Sequence, residues 1–169
     1  ATADNINISN AVACTTDKNN VKSSYLYAAN SNIINSTFKN NVGKIQTCSS
    51  TLDYCVIEGN RTFEEMPDKE NNLVTIFEPL ATTVKNTKII SNKGAILYKT
   101  NVNGVQYANT YINTIIANNE GYTIVNHSLA KGDKFINCDI VSNKTNVESA
   151  GKMISGGEFH NTVVWNNRN

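Results

Sequence analysis

The nine residues FINCDIVSN, from Phe135 to Asn143, decide how this chain reads. Their pattern returns as FHNTVVWNN from Phe159 to Asn167. The shared pattern is an apolar residue, then two places on an Asn, then Ser, Thr or Cys, a variable residue, an aliphatic or Phe, two variable residues and a closing Asn. Its seven-residue core recurs as NTIIANN from Asn113, NTKIISN from Asn86 and NSTFKNN from Asn35. A further copy, YCVIEGN from Tyr54, has Tyr in the first place. The copies start at Asn35, Tyr54, Asn86, Asn113, Asn137 and Asn161, with the widest gap between Tyr54 and Asn86. The apolar residues two places ahead are Ile33, Leu52, Val84, Tyr111, Phe135 and Phe159. Gly-led apolar stretches follow several copies, at Gly43 to Ile45, Gly94 to Leu97, Gly121 to Ile124 and Gly151 to Ile154.

Side chains alternate along a strand, so the Ser/Thr/Cys and the aliphatic two places later share one face. That face reads as inward. It stacks Ser36, Cys55, Thr87, Thr114, Cys138 and Thr162 beside Phe38, Ile57, Ile89, Ile116, Ile140 and Val164. A repeat of about 24 residues is too long for a hairpin and fits one turn of a three-strand solenoid coil. Strands of successive coils then lie about 4.8 Å apart, like residue upon like. The expected fold is all-β, a right-handed parallel β-helix of about six to seven coils. An antiparallel sandwich with Asn-rich turns is the competing architecture, but it has no reason to repeat one register six times. No long segment carries the helical 3.6-residue period. Asn occupies 29 positions. Unordered, that would suggest a polar disordered tract. Placed at turns, Asn accepts left-handed backbone angles and can build a ladder of side-chain amides along the stack.

The phrase aromatic, x, Asn, Cys/Thr, x, Ile, x, x, Asn resembles the pectin-lyase-like family of right-handed parallel β-helices. More narrowly, FINCDIVSN and FHNTVVWNN are similar to exported or surface β-helix repeat proteins of gut-type bacteria. The resemblance covers roughly residues 30 to 169. It implies the fold and leaves function open, because one solenoid hosts lyases, hydrolases, adhesins and passive stalks. It also implies an exported, cell-surface or extracellular location.

The chain reads as one domain over residues 1–169, with an atypical N-terminal coil or cap over 1–24. NINISN from Asn5 resembles a worn strand. The wide gap between Tyr54 and Asn86 holds TFEEMPDKENN, from Thr62 to Asn72, read as an inserted loop. Such loops are solvated or gather on a binding face. Ala1 reads as a processed or engineered end. The stop at Asn169, right after a full motif, leads us to expect that the natural protein continues. Cys55 and Cys138 share the inward slot three coils apart, roughly 14 Å, too far to bridge. Both read as small buried hydrophobes. Cys14 and Cys48 are a candidate bridge clamping the first coil.

Net charge is +1, with scattered lysines. That argues against nucleic acid as a partner, and nothing in it suggests an acidic polymer. No stretch is long and apolar enough to span a membrane as a helix. No metal cluster, cofactor motif or catalytic set is read. In lyases and hydrolases of this fold, the resemblance implies carboxylates with Lys or Arg outside neighbouring coils. Here the outward acids of the third strand are Glu58 and Asp139, three coils apart. Glu64, Glu65, Asp68 and Glu70 fall in the loop. His127 and His160 have no nearby acid by sequence.

The outward positions turn apolar toward the C-terminus, at Ile90, Ile115, Val141, Val163 and Trp165. Such a stripe is expected to be covered. A loop of the same protein, another domain or subunit, and a polysaccharide stacked on Trp165 all fit. The expected function is a non-enzymatic surface scaffold for adhesion or glycan binding. The alternatives are a partial polysaccharide lyase or hydrolase with catalytic coils elsewhere, and a purely structural stalk.

Overall fold

The computed structural model describes residues 1–13, 24–61, 75–96, 107–121, 125–126, 132–144, 154–155 and 157–168. The strands fall into seven coils. The first holds β1 (Thr2–Asp4) and β2 (Asn7–Ser9), and the second β3 (Ser24–Ala29), β4 (Asn32–Ile34) and β5 (Thr37–Lys39). The third holds β6 (Lys44–Cys48), β7 (Thr51–Asp53) and β8 (Val56–Glu58). The fourth holds β9 (Thr75–Leu80), β10 (Thr83–Lys85) and β11 (Lys88–Ile90). In the fifth are β12 (Ala95–Ile96), β13 (Thr110–Ile112) and β14 (Ile115–Ala117). The sixth has β15 (Val125–Asn126), β16 (Lys134–Ile136) and β17 (Asp139–Val141). The last has β18 (Ile154–Ser155), β19 (Glu158–His160) and β20 (Val163–Trp165). Cys14, the stretch from Thr62 to Asn72 and His127 lie outside the described residues.

Corresponding strands of successive coils pair, and every pairing among the described residues is parallel. One seven-stranded sheet runs β1-β4-β7-β10-β13-β16-β19, a second β2-β5-β8-β11-β14-β17-β20. The third side is broken into β12-β9-β6-β3 and β15-β18, with register shifts at Ser24/Leu26 and Ala95/Ile96. The fold is therefore a parallel β-helix, as the repeat required. NINISN also belongs to it, since Asn7, Ile8 and Ser9 pair with Thr37, Phe38 and Lys39.

Each corner on either side of the second sheet is made by one left-handed residue. Before that sheet stand Asn5, Asn35, Tyr54, Asn86, Asn113, Asn137 and Asn161, with φ between 47° and 56°. After it stand Asn10, Asn40, Gly59, Ser91, Asn118, Ser142 and Asn166, with φ between 54° and 65°. A single left-handed residue turns the chain without interrupting inter-coil bonding. Asn35 N–H still donates to the Asp53 carbonyl of the next coil at 3.0 Å. Asn visits this region more readily than other side chains do, which is why the repeat is written in asparagine.

The residue after each corner turns inward and must satisfy its polar atoms there. At the first corner this slot takes Ser36, Cys55, Thr87, Thr114 and Cys138, all at most 1% exposed. Their hydroxyls or thiols donate to the carbonyl two residues back: Thr87 Oγ1 to Lys85 at 2.8 Å, Cys138 Sγ to Ile136 at 3.3 Å. The cysteines thus replace Ser and Thr as short donors, and burial raises both thiol pKa values. At the second corner the slot takes Asn41, Asn60, Asn92, Asn119, Asn143 and Asn167. From Asn41 to Asn143 each Nδ2 donates to the Oδ1 of the next coil at 2.8–3.1 Å. The same Oδ1 accepts the preceding backbone N–H, and the second amide hydrogen reaches a strand carbonyl, as from Asn119 to Ile89 at 2.9 Å. The expected amide ladder is real at both corners. At the first the left-handed asparagines themselves link, Asn137 Nδ2 donating to Asn113 Oδ1 at 3.4 Å and Asn113 Nδ2 to Asn86 Oδ1 at 3.2 Å. At the second the buried ladder stands one place after the left-handed residue.

The core between the sheets stacks like on like. Phe38, Ile57, Ile89, Ile116 and Ile140 are all fully buried in one column, each contributing about 1.5–3 kcal/mol. In the first sheet Tyr111, Phe135 and Phe159 stack with ring centroids 4.6 and 5.1 Å apart. Tyr111 is fully buried, and its hydroxyl finds no partner among the described residues. On the third side Ile76, Phe77, Glu78 and Leu80 of β9 are all buried, and the Glu78 carboxylate pairs with the Lys44 ammonium. Cys48 carries a free thiol.

Candidate functional site

The outer face of the second sheet carries the stripe read from the sequence, and inter-coil register fixes its layout. Two columns run along this face. One is Asn7, Thr37, Val56, Lys88, Ile115, Asp139 and Val163. The other is Ser9, Lys39, Glu58, Ile90, Ala117, Val141 and Trp165. Ile90, Val141 and Trp165 therefore share a column, joined through Ala117. Ile115 and Val163 belong to the other column, and Asp139 separates them. The stripe is continuous along one column and interrupted along its neighbour.

Exposure grades along it. Ile90, Ile115 and Val141 are half-buried, and Ala117 is 7% exposed. Val163 is 51% exposed and Trp165 67%. The cover expected over the whole stripe is thus partial at its middle and missing at Trp165, whose indole stands in solvent. In the same coil Phe159 and Val164 occupy inward slots yet are 39% and 48% exposed.

Several outward charged groups are held in cross-coil pairs. Lys39 meets Glu58 at 3.2 Å on this face. On the first sheet Lys85 meets Asp53 at 2.9 Å and Lys134 meets Glu158 at 3.5 Å. Desolvation pushes the Asp53 carboxyl upward, but the Asn86 amide and the Lys85 ammonium outweigh it and hold the pKa below its ordinary value. His160 does have an acid nearby, against the sequence reading: Glu158 Oε2 lies 3.8 Å from its Nε2, both well exposed. The two share the outer face of β19, which spacing along the motif did not show. Glu58 and Asp139 lie in different columns three strands apart. Among the described residues no group of three or more His, Cys, Asp or Glu could hold a metal ion. No helix among them is long and apolar enough to cross a membrane.

No protein-family model, curated protein or solved structure matches the chain.

A second feature of this corner was missed because it falls one residue beyond the motif. The residues that follow the ladder slot, which holds Ala11 in the first coil and Asn thereafter, bridge from coil to coil: Val12, Val42, Arg61, Lys93, Glu120, Lys144 and Arg168. Five consecutive coils thus present four cations and one anion in a single row. Reading the eighth position of each copy, rather than seven, would have found it.

Proposed function

We propose that this chain is a non-enzymatic β-helix scaffold, exported to the cell surface or beyond, that binds glycans on the outer face of its second sheet. The observation that carries this reading is Trp165, 67% exposed at the end of the column Ile90, Ala117, Val141. An exposed indole continuing a flat apolar column suits stacking against the apolar face of a sugar ring. A large apolar side chain left in solvent beside others marks an interaction surface. The motif's resemblance to pectin-lyase-like repeat proteins of the kind gut-type bacteria export accords with that setting. The absence of catalysis is supported by the outward acids Glu58 and Asp139. At three strand spacings, roughly 14 Å, they are beyond the reach of a glycosidic acid-base pair.

The test is a glycan array, with and without calcium, followed by fluorescence titration of each hit. Trp165 is the single tryptophan, so emission reports on it alone. Saturable binding that shifts its emission, weakened about tenfold by Trp165→Ala, is the expected result. Silence across the array, or hits indifferent to Trp165→Ala, would remove the surface assigned here.

A further inference from the structure

The ladders inside this solenoid have a direction. At the second corner each backbone N–H donates to the Oδ1 one coil further on, from Ala11 to Asn41 at 2.8 Å through to Asn143 to Asn167 at 3.1 Å. The side-chain amides run the same way. At the first corner Ile6 N–H donates to Ser36 Oγ at 3.1 Å. Cys55 N–H donates to Thr87 Oγ1 and Cys138 N–H to Thr162 Oγ1, both at 3.3 Å. The third corner agrees, with Thr82 N–H on Asn109 Oδ1 at 2.9 Å and Asn109 N–H on Asp133 Oδ1 at 2.7 Å. In every one of these links the donor lies on the earlier coil.

That polarity makes the two end coils unlike. In the first coil the ladder slots hold Ile6 and Ala11, whose side chains need no hydrogen bond and whose N–H groups are already used. In the seventh the slots hold Thr162 and Asn167. Their side chains are tied back to the sixth coil, Thr162 Oγ1 to the Phe135 carbonyl at 3.1 Å and Asn167 Nδ2 to that of Ile140 at 2.7 Å. Their backbone N–H groups, and the second amide hydrogen of Asn167, meet no acceptor among the described residues. The same holds for the N–H groups of Asn161 and Asn166, whose counterparts Asn137 and Ser142 donate to the His160 and Trp165 carbonyls at 2.9 and 3.1 Å. The apolar slots open on that side too. Phe159, stacked on Phe135 by one face, is 39% exposed and Val164 48%, while Phe135 and Ile140 beneath them are fully buried.

These groups define an occupant. It must set backbone carbonyls over Asn161 and Asn166, a side-chain oxygen over each of Thr162 and Asn167, and apolar groups over Phe159 and Val164. An extended polypeptide in the repeat's own register does all of this. The first coil of a second copy does not, because Ile6 and Ala11 offer no side-chain acceptor.

We infer that the seventh coil is a docking edge for a β-strand of another polypeptide, one that carries the pattern aromatic, x, Asn, Ser/Thr, x, aliphatic, x, x, Asn. The strand adds as an eighth parallel rung about 4.8 Å beyond β19 and β20. Main-chain bonds supply affinity, and the slots over Phe159 and Val164 choose the side chains. A strand lacking the Ser/Thr and the closing Asn leaves the N–H groups of Thr162 and Asn167 covered and unpaired, which costs affinity.

The test titrates the synthetic peptide NTYINTIIANNE, the sequence of residues 109–120, into the whole chain. The peptide has no tryptophan, so emission reports on Trp165 of β20 alone. The expected result is saturable one-to-one binding that shifts this emission, with the stoichiometry checked by sedimentation. Asn119→Ala in the peptide should weaken binding about tenfold, and Thr114→Val likewise. Asn118→Ser, at a place the second corner itself fills with Ser91 and Ser142, should leave it within about twofold. No binding, equal binding of a scrambled peptide, or equal binding of all three variants would overturn the inference. Head-to-tail association of the chain without peptide would make a second copy the occupant and overturn it as well.

Discussion

Asn118 stands exposed at a corner with φ 56°, whereas Asn119, the next residue, is fully buried and makes four hydrogen bonds with its side chain. The two have the same chemistry and neighbouring places in the coil, yet different physical duties. Asn118 is there for its backbone, since its short polar side chain tolerates the left-handed region. Asn119 is there for its amide, which supplies two donors and two acceptors where no water reaches. The second corner can change its left-handed residue to Gly59, Ser91 or Ser142. From the third coil to the sixth it keeps Asn in the buried slot without exception: Asn60, Asn92, Asn119 and Asn143. A conformational preference can be met by several residues, but a four-way hydrogen-bond node cannot.

Substitutions can break or sharpen that contrast. Ile140→Asp places a charge in the fully buried column beneath the ladder and should abolish folding, as read by loss of the cooperative thermal transition. Asn119→Ala strands two donors and two acceptors in the interior. At about 1–3 kcal/mol for each unsatisfied group, it should cost about 4 kcal/mol or more, a large share of a typical stability. Asn118→Ala should cost only about 1 kcal/mol, and Asn118→Gly almost nothing, by urea denaturation. If Asn118→Ala and Asn119→Ala cost the same, the division of duties is wrong. Tyr54 has φ 53° and is 62% exposed where other coils have Asn, so Tyr54→Asn should stabilise by about 0.5–1 kcal/mol. Asp139→Asn, on the outer face, should change stability by about 0.5 kcal/mol or less. A larger loss would mean that Asp139 has a role the two columns do not account for.

Much of this was legible in advance because in-register stacking makes the sequence its own alignment. Ile116 and Ile140, expected one above the other in the core, are paired and fully buried. Cys55 and Cys138, expected as small buried side chains, fill the slot of Ser36, Thr87 and Thr114. The reading weakened wherever a property depends on what lies beside a residue around the coil. Ile115 and Ile90 looked like members of one stripe, but they occupy separate columns, with Asp139 breaking one and Ala117 joining the other. His160 was read as having no nearby acid, yet Glu158, two places back on the same face of β19, lies 3.8 Å from it.

The repeat alone shows the coil: inward register, corner positions and the stacking of like on like. Each of these follows from local alternation and from a backbone angle that Asn accepts, and a repeat displays both without coordinates. Only the tertiary structure decided which scattered residues become neighbours along the axis. Arg61, Lys93, Lys144 and Arg168 are widely and unevenly spaced in the chain, and look like ordinary dispersed charge. Coils of unequal length carry them to one corner, because inter-coil hydrogen bonding fixes the rung and lets the connections vary. Charge rows, apolar columns and exposed indoles are properties of that rung register.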